Sequence, residues 1–128
     1  NAQAAAEFLA AQPEVEEVNY PGLKDDRYYG LGQKYLPKGA SGVVSFSLKE
    51  GREAAVKFMD SLELASNVVH VATVKTCVLH PASETHRQLS DEQLIAAGIT
   101  PGMIRLSVGI ENIDDIIKDL EKGFRAVR

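Results

Sequence analysis

His80-Pro81-Ala82-Ser83-Glu84-Thr85-His86-Arg87-Gln88-Leu89 and, a short capped segment later, Ile104-Arg105-Leu106-Ser107-Val108-Gly109-Ile110-Glu111 decide how this chain is read. The second run alternates. Ile104, Leu106 and Val108 fall on one side of a strand, and Arg105, Ser107 and Gly109 on the other. Arg105 therefore points away from the apolar face, with two small neighbours that leave room for a partner. A carboxylate matches its planar, two-pronged guanidinium best. On alternation alone, an arginine on a solvated sheet face is the simpler account.

Between the two runs, Ser90 and Gln93 have the spacing of a capping box, and Gly98 is placed to end the short helix they open. Upstream, Val68 to Thr73 and Val74 to Leu79 are apolar and β-branched, so both read as strand until His80-Pro81 stops the run. Gly42 to Leu48 alternates, with Val44, Phe46 and Leu48 on its apolar side. After it, Ala55, Val56, Met59, Leu62 and Ala65 recur at helical spacing within Arg52 to Leu64. Downstream, Asn112 is a cap for a last helix whose apolar stripe is Ile113, Ile116, Ile117, Leu120 and Phe124.

The first third is less regular. Alanine-rich Asn1 to Gln12 is a helix by propensity, with a weakly apolar face that predicts little packing, and Pro13 ends it. Val15, Val18 and Tyr20 form a short strand closed by Pro21-Gly22. Asp25 to Leu36 fits a helix interrupted by Gly30 and Gly32. Its Tyr28, Tyr29 and Tyr35 are either a stacking surface or, more commonly, an anchor to a core or interface. Alternating strands argue for a sheet covered on one face. The expected fold is α+β: a two-layer sandwich with a mainly antiparallel sheet of about four strands and helices on one face.

The 128 residues fit one domain, which buries roughly two thirds of its unfolded surface. Asp and Glu number 18 against 14 Lys and Arg, without blocks, so nothing favours nucleic acid or an anionic membrane as partner. Cys77 is the sole cysteine, which excludes an internal disulfide and suits a reducing cytoplasm. Its strand context reads as a buried, inert thiol. No apolar run is long enough to span a bilayer. The chain opens at Asn1 with no methionine before it, as a trimmed or processed piece would. His80 and His86, spaced by six with no cysteine or carboxylate pair nearby, make a weak metal pattern, and no metal site is expected. Ser83 and Thr85 read as turn and cap residues.

The two opening runs, with Asp91-Glu92-Gln93, Asn19-Tyr20-Pro21-Gly22-Leu23 and Lys34-Tyr35-Leu36-Pro37-Lys38-Gly39, resemble the C-terminal domain of the pyridoxal-phosphate enzymes of cysteine and methionine metabolism. The O-acetylhomoserine sulfhydrylase branch is most similar, and the resemblance covers essentially the whole chain. It implies that residues 1–128 are the small C-terminal domain of a fold-type I transferase. The larger domain, with the Schiff-base lysine and the pyridoxal phosphate, would then be a missing partner. It also implies a homotetrameric parent that makes homocysteine from O-acetylhomoserine and sulfide. This chain alone would hold no cofactor and no catalytic residue, and would be inert. Lys34-Tyr35 looks superficially like the family's Schiff-base pair, but its surroundings make Lys34 a surface lysine.

The position matching the family's carboxylate-binding arginine is Arg105, which would recognise an amino-acid substrate. His70 falls where the family usually has Ser or Asn, and is a second substrate-binding candidate or simply an exposed histidine. Ala72-Thr73 replaces the usual Gly-Asp, a departure that bears on the loop conformation. The alternatives are another branch (O-succinylhomoserine sulfhydrylase, cystathionine γ-synthase or a γ-lyase) or an independent protein-binding module.

Overall fold

The computed structural model describes residues 1–128. In chain order its elements are α1 (Ala2–Ala10), β1 (Val15–Asn19), α2 (Tyr29–Tyr35), β2 (Val43–Leu48), α3 (Gly51–Asp60), β3 (Ser66–Asn67), β4 (Cys77–Leu79), α4 (Asp91–Ala96), β5 (Met103–Ser107) and α5 (Ile113–Val127). The strands form one sheet in the order β1-β2-β5-β4-β3. All neighbours are antiparallel except β3 and β4. The α+β architecture therefore stands, with a two-residue fifth strand added to the four expected.

The sheet centre is the β2–β5 ladder, where Val44 faces Leu106 and Phe46 faces Ile104. These four side chains are fully buried in one cluster with Leu9 of α1, Phe58 of α3, and Ile116, Leu120 and Phe124 of α5. Phe58 meets Phe46 edge-on with centroids 5.6 Å apart, and Phe124 likewise at 4.9 Å. Such pairs add specific geometry to the area they bury. Asp119 of α5 is buried, and its carboxylate accepts from the N–H groups of Glu63 and Ala65 at 2.8 and 2.9 Å. That contact ties the turn after α3 to the last helix.

Three expectations are corrected here. The α1 helix is not loosely packed: Ala5, Ala6 and Leu9 are fully buried, because alanine's lack of bulk lets the helix backbone approach the sheet. The buried stripe of α3 is Ala54, Ala55, Phe58 and Met59, leaving Val56 exposed, so the helix is rotated toward Phe58. Val68 to Thr73 is not a strand. Pairing ends at Asn67 and resumes at Cys77, and Val69, Val71 and Val74 lie exposed in the loop between. Propensity for β structure is realised only against a neighbouring strand, and none lies beside this segment.

The second face of the sheet is partly covered. Ser47, Cys77, Leu79 and Ser107 are buried, and Leu94 of α4 is buried outside the main cluster. The Ser47 hydroxyl bonds Thr100 at 2.8 Å, fixing the 80–102 segment against this face. Arg52 of α3 holds the same segment through the Ala82 carbonyl at 2.9 Å and the Asp91 carboxylate at 2.6 Å. The Ser90–Gln93 capping box forms as read.

Gly123 is where α5 crosses α3, and a Cβ there would meet the Phe58 ring at 2.6 Å. Gly123→Ala should therefore lower stability by about 1–3 kcal/mol despite alanine's better helix propensity. Urea unfolding checks this, and a stabilised variant would contradict the packing.

Candidate functional site

Arg105 lies mid-strand in β5, paired with Ser45 on one side and Leu79 on the other, on the face turned from the main core. Its neighbours Ile104 and Leu106 are fully buried, so the strand's two-residue period fixes its direction. Nη2 donates to the Val69 carbonyl at 2.8 Å, whereas Nε is shielded from solvent and has no partner. A buried N–H left without an acceptor costs about 1–3 kcal/mol. A carboxylate matches the guanidinium.

The room expected beside Arg105 is partly taken by the chain itself. A side chain at Gly109 would run into the Val74 carbonyl, Lys75 and the Glu111 carboxylate, so the glycine serves close approach of the 68–76 loop. Along that loop, Val69 reaches Arg105 and Val74 accepts from the Ile110 N–H at 2.9 Å. Ala72 has φ 58°, the left-handed conformation that glycine adopts most easily. His70 follows Val69 and is exposed.

Thr76 and Glu111 were given no role by sequence reasoning. Thr76 is fully buried, and its N–H and hydroxyl donate to the two oxygens of Glu111 at 2.7 and 2.8 Å. The same hydroxyl oxygen accepts from the Gly109 N–H at 2.9 Å. The Asn1 amide donates to the carbonyls of Gly109 at 3.0 Å and Glu111 at 2.7 Å. No local pattern announces these contacts, since Thr76 and Glu111 are 35 positions apart.

Elsewhere, His80 is fully buried, with Nε2 2.7 Å from the Pro101 carbonyl and Nδ1 2.7 Å from the Ser83 hydroxyl. A carbonyl only accepts, so in the neutral ring Nε2 carries the proton and Ser83 donates to Nδ1. His80 thus pins the turn after β4 to the entry of β5. The His86 ring nitrogen Nδ1 meets the Thr85 hydroxyl at 2.8 Å. Lys34 is exposed on α2, its ammonium 5.2 Å from the Tyr35 ring. Tyr28 and Tyr35 are largely solvent-exposed and do not anchor α2 to the core.

Burial of the Glu111 carboxylate pushes its pKa up, but the N–H groups of Thr76 and of Glu111 itself, the Thr76 hydroxyl and the Lys75 charge outweigh this. The folded value therefore lies below the ordinary 4.5. Because it is depressed, the stabilisation is present in full above 4.5 and is lost as pH falls through the folded value. The stability difference between the parent chain and Glu111→Gln should be largest near neutral pH and shrink below 4.5, measured by urea unfolding across pH. A difference that does not change with pH would remove the ionised carboxylate from this account.

The chain is similar to known proteins along nearly its whole length. Residues 1–125 match the family model described as Cys/Met metabolism PLP-dependent enzyme. An O-acetyl-L-homoserine sulfhydrylase of Leptospira meyeri is 48% identical over 128 residues, covering 99% of this chain and 29% of the relative. An L-methionine gamma-lyase of Fusobacterium nucleatum is 42% identical over 127 residues, covering 99% and 32%. The crystal structure of a putative O-acetylhomoserine (thiol)-lyase of Campylobacter jejuni, with an N'-pyridoxyl-lysine-5'-monophosphate, superposes with a TM-score of 0.88 at 42% identity. That match covers 97% of this chain and 30% of the other. The chain thus spans about 29% of the length of the sulfhydrylase it matches. It belongs to the pyridoxal-phosphate-dependent enzymes of cysteine and methionine metabolism.

Proposed function

We propose that this chain is the C-terminal, carboxylate-recognising part of an O-acetylhomoserine sulfhydrylase, which forms homocysteine from O-acetylhomoserine and sulfide. The observation that carries the reading is the placement of Arg105, half-buried on the sheet face turned from the main core, with its guanidinium oriented by the Val69 carbonyl. A substrate α-carboxylate would accept from the N–H groups at the solvent-reachable end of the guanidinium, which the single contact to Val69 does not use up. Fixing the carboxylate limits how the amino acid can lie and holds its reacting carbons in one place. His70, next to Val69, is kept as a secondary substrate contact.

In this family pyridoxal phosphate supplies the electron sink for γ-replacement. In this reading the cofactor is held by the larger domain, and the role assigned to this chain is confined to the carboxylate. The reading carries with it a larger cofactor-binding domain in the same protein and a homotetrameric, cytoplasmic enzyme. It is supported by the coverage of about 29% of the sulfhydrylase relative. The gamma-lyase relative keeps a second reading in play, in which the same arginine serves an elimination on a related amino acid. Product analysis with O-acetylhomoserine plus sulfide, against methionine alone, separates the two.

In the full-length enzyme, Arg105→Ala should lower kcat/KM by about two orders of magnitude, the scale for truncating one partner of a buried, hydrogen-bonded charge pair. Arg105→Lys should recover part of the loss, because it restores the charge without the fork. Steady-state kinetics on the amino-acid substrate are the check, and unchanged kcat/KM in Arg105→Ala would overturn the assignment. The 128-residue chain supplied with cofactor and substrates should release no homocysteine.

A further inference from the structure

The loop from Val68 to Lys75 has almost nothing apolar to hold it. Val69, Val71 and Val74 point to solvent, yet the Val69 carbonyl must arrive at one place to receive Arg105. Its far end is fixed by a tight polar arrangement. Both Glu111 oxygens are bonded to Thr76, Thr76 in turn accepts from Gly109, and Val74 accepts from Ile110. Gly109 has no side chain because the loop backbone lies against it.

The groups that grip the loop follow directly from β5, the strand that carries Arg105. One stretch of backbone therefore presents the guanidinium and, a few residues on, the carboxylate that sets the loop against it. Arg105 spends one donor, Nη2, on the loop, and that single contact sets the direction of the guanidinium. If the loop moved, Nη2 would lose its acceptor and the guanidinium its orientation.

We infer that Glu111 and Thr76 are positioning residues for Arg105, clamping the 68–75 loop so that the Val69 carbonyl aims the guanidinium at a bound carboxylate. This inference rests on the assignment of Arg105 to the substrate carboxylate. Neither Glu111 nor Thr76 touches the substrate. Their effect passes through Val69 and Arg105, and a misplaced binding group loses orientation as well as affinity.

The test is a double-mutant cycle in the full-length enzyme, read as kcat/KM for the amino-acid substrate, with hydrogen exchange of the 68–75 loop followed alongside. Glu111→Gln and, separately, Thr76→Val should each reduce kcat/KM by about tenfold and speed exchange in the loop. On an Arg105→Ala background the same changes should cost little, because residues acting through one group are not additive. Thr76→Ser, which keeps the hydroxyl, should recover most of what Thr76→Val loses, which separates the bond from a general folding defect. Losses that simply add to that of Arg105→Ala would show a structural role only and overturn the inference. So would normal kcat/KM in both clamp variants while Arg105→Ala is impaired, an outcome that leaves the carboxylate assignment intact. An unimpaired Arg105→Ala would remove both.

Discussion

The constraint on which the structure depends is the phase of β5. Ile104 and Leu106 must face Phe46 and Val44 to complete the core, and a strand that buries two alternate residues has no freedom left for the one between them. Arg105 consequently lies on the opposite face, between Ser45 and Leu79. A slip of one residue would put the guanidinium among three phenylalanine rings and expose the isoleucine and leucine. Core packing and site direction are thus one decision. The stability of the Phe46–Phe58–Phe124 stack protects the orientation of a residue that is not part of it.

The site has two supports of different kind. Its strand is held by apolar burial, which resists local disturbance because many side chains share it. Its loop is held by a handful of hydrogen bonds, from Thr76 to Glu111 just past the end of the same strand, from Ile110 to Val74 and from Arg105 to Val69. Charge-assisted bonds to a carboxylate are individually stronger than neutral ones, yet each is a single point of failure. The strand base is thus held by many contacts and the loop rim by few.

How much of this could be read from the residues depends on the distance over which the cause acts. The Ser90–Gln93 cap and the Asn112 cap were legible because a cap is a local event within one turn. The face of Arg105 was legible because strand alternation is local as well. Phe58 escaped the helix reading because Val56 and Leu62 supplied an equally periodic stripe, and only the aromatic partners on β2 and α5 decide between them. The 68–73 segment misled because its valines have strand propensity, while whether they pair depends on sheet order. The Thr76–Glu111 contact left no local sign at all.

Ala72 brings these threads together. A left-handed alanine costs roughly 1–2 kcal/mol that glycine would not, and the exposed valines beside it return nothing by burial. An isolated loop with these residues would relax to a more extended course. That it holds the turned form places the compensation outside the loop, in the bonds made by Thr76 and Val74 and in the acceptance of Arg105 by Val69. The guanidinium is then both cause and beneficiary: it helps keep the loop turned, and the turned loop fixes it. A carboxylate accepting from the outer end of the guanidinium would strengthen the arrangement from a third side, so ligand binding and loop order would each favour the other.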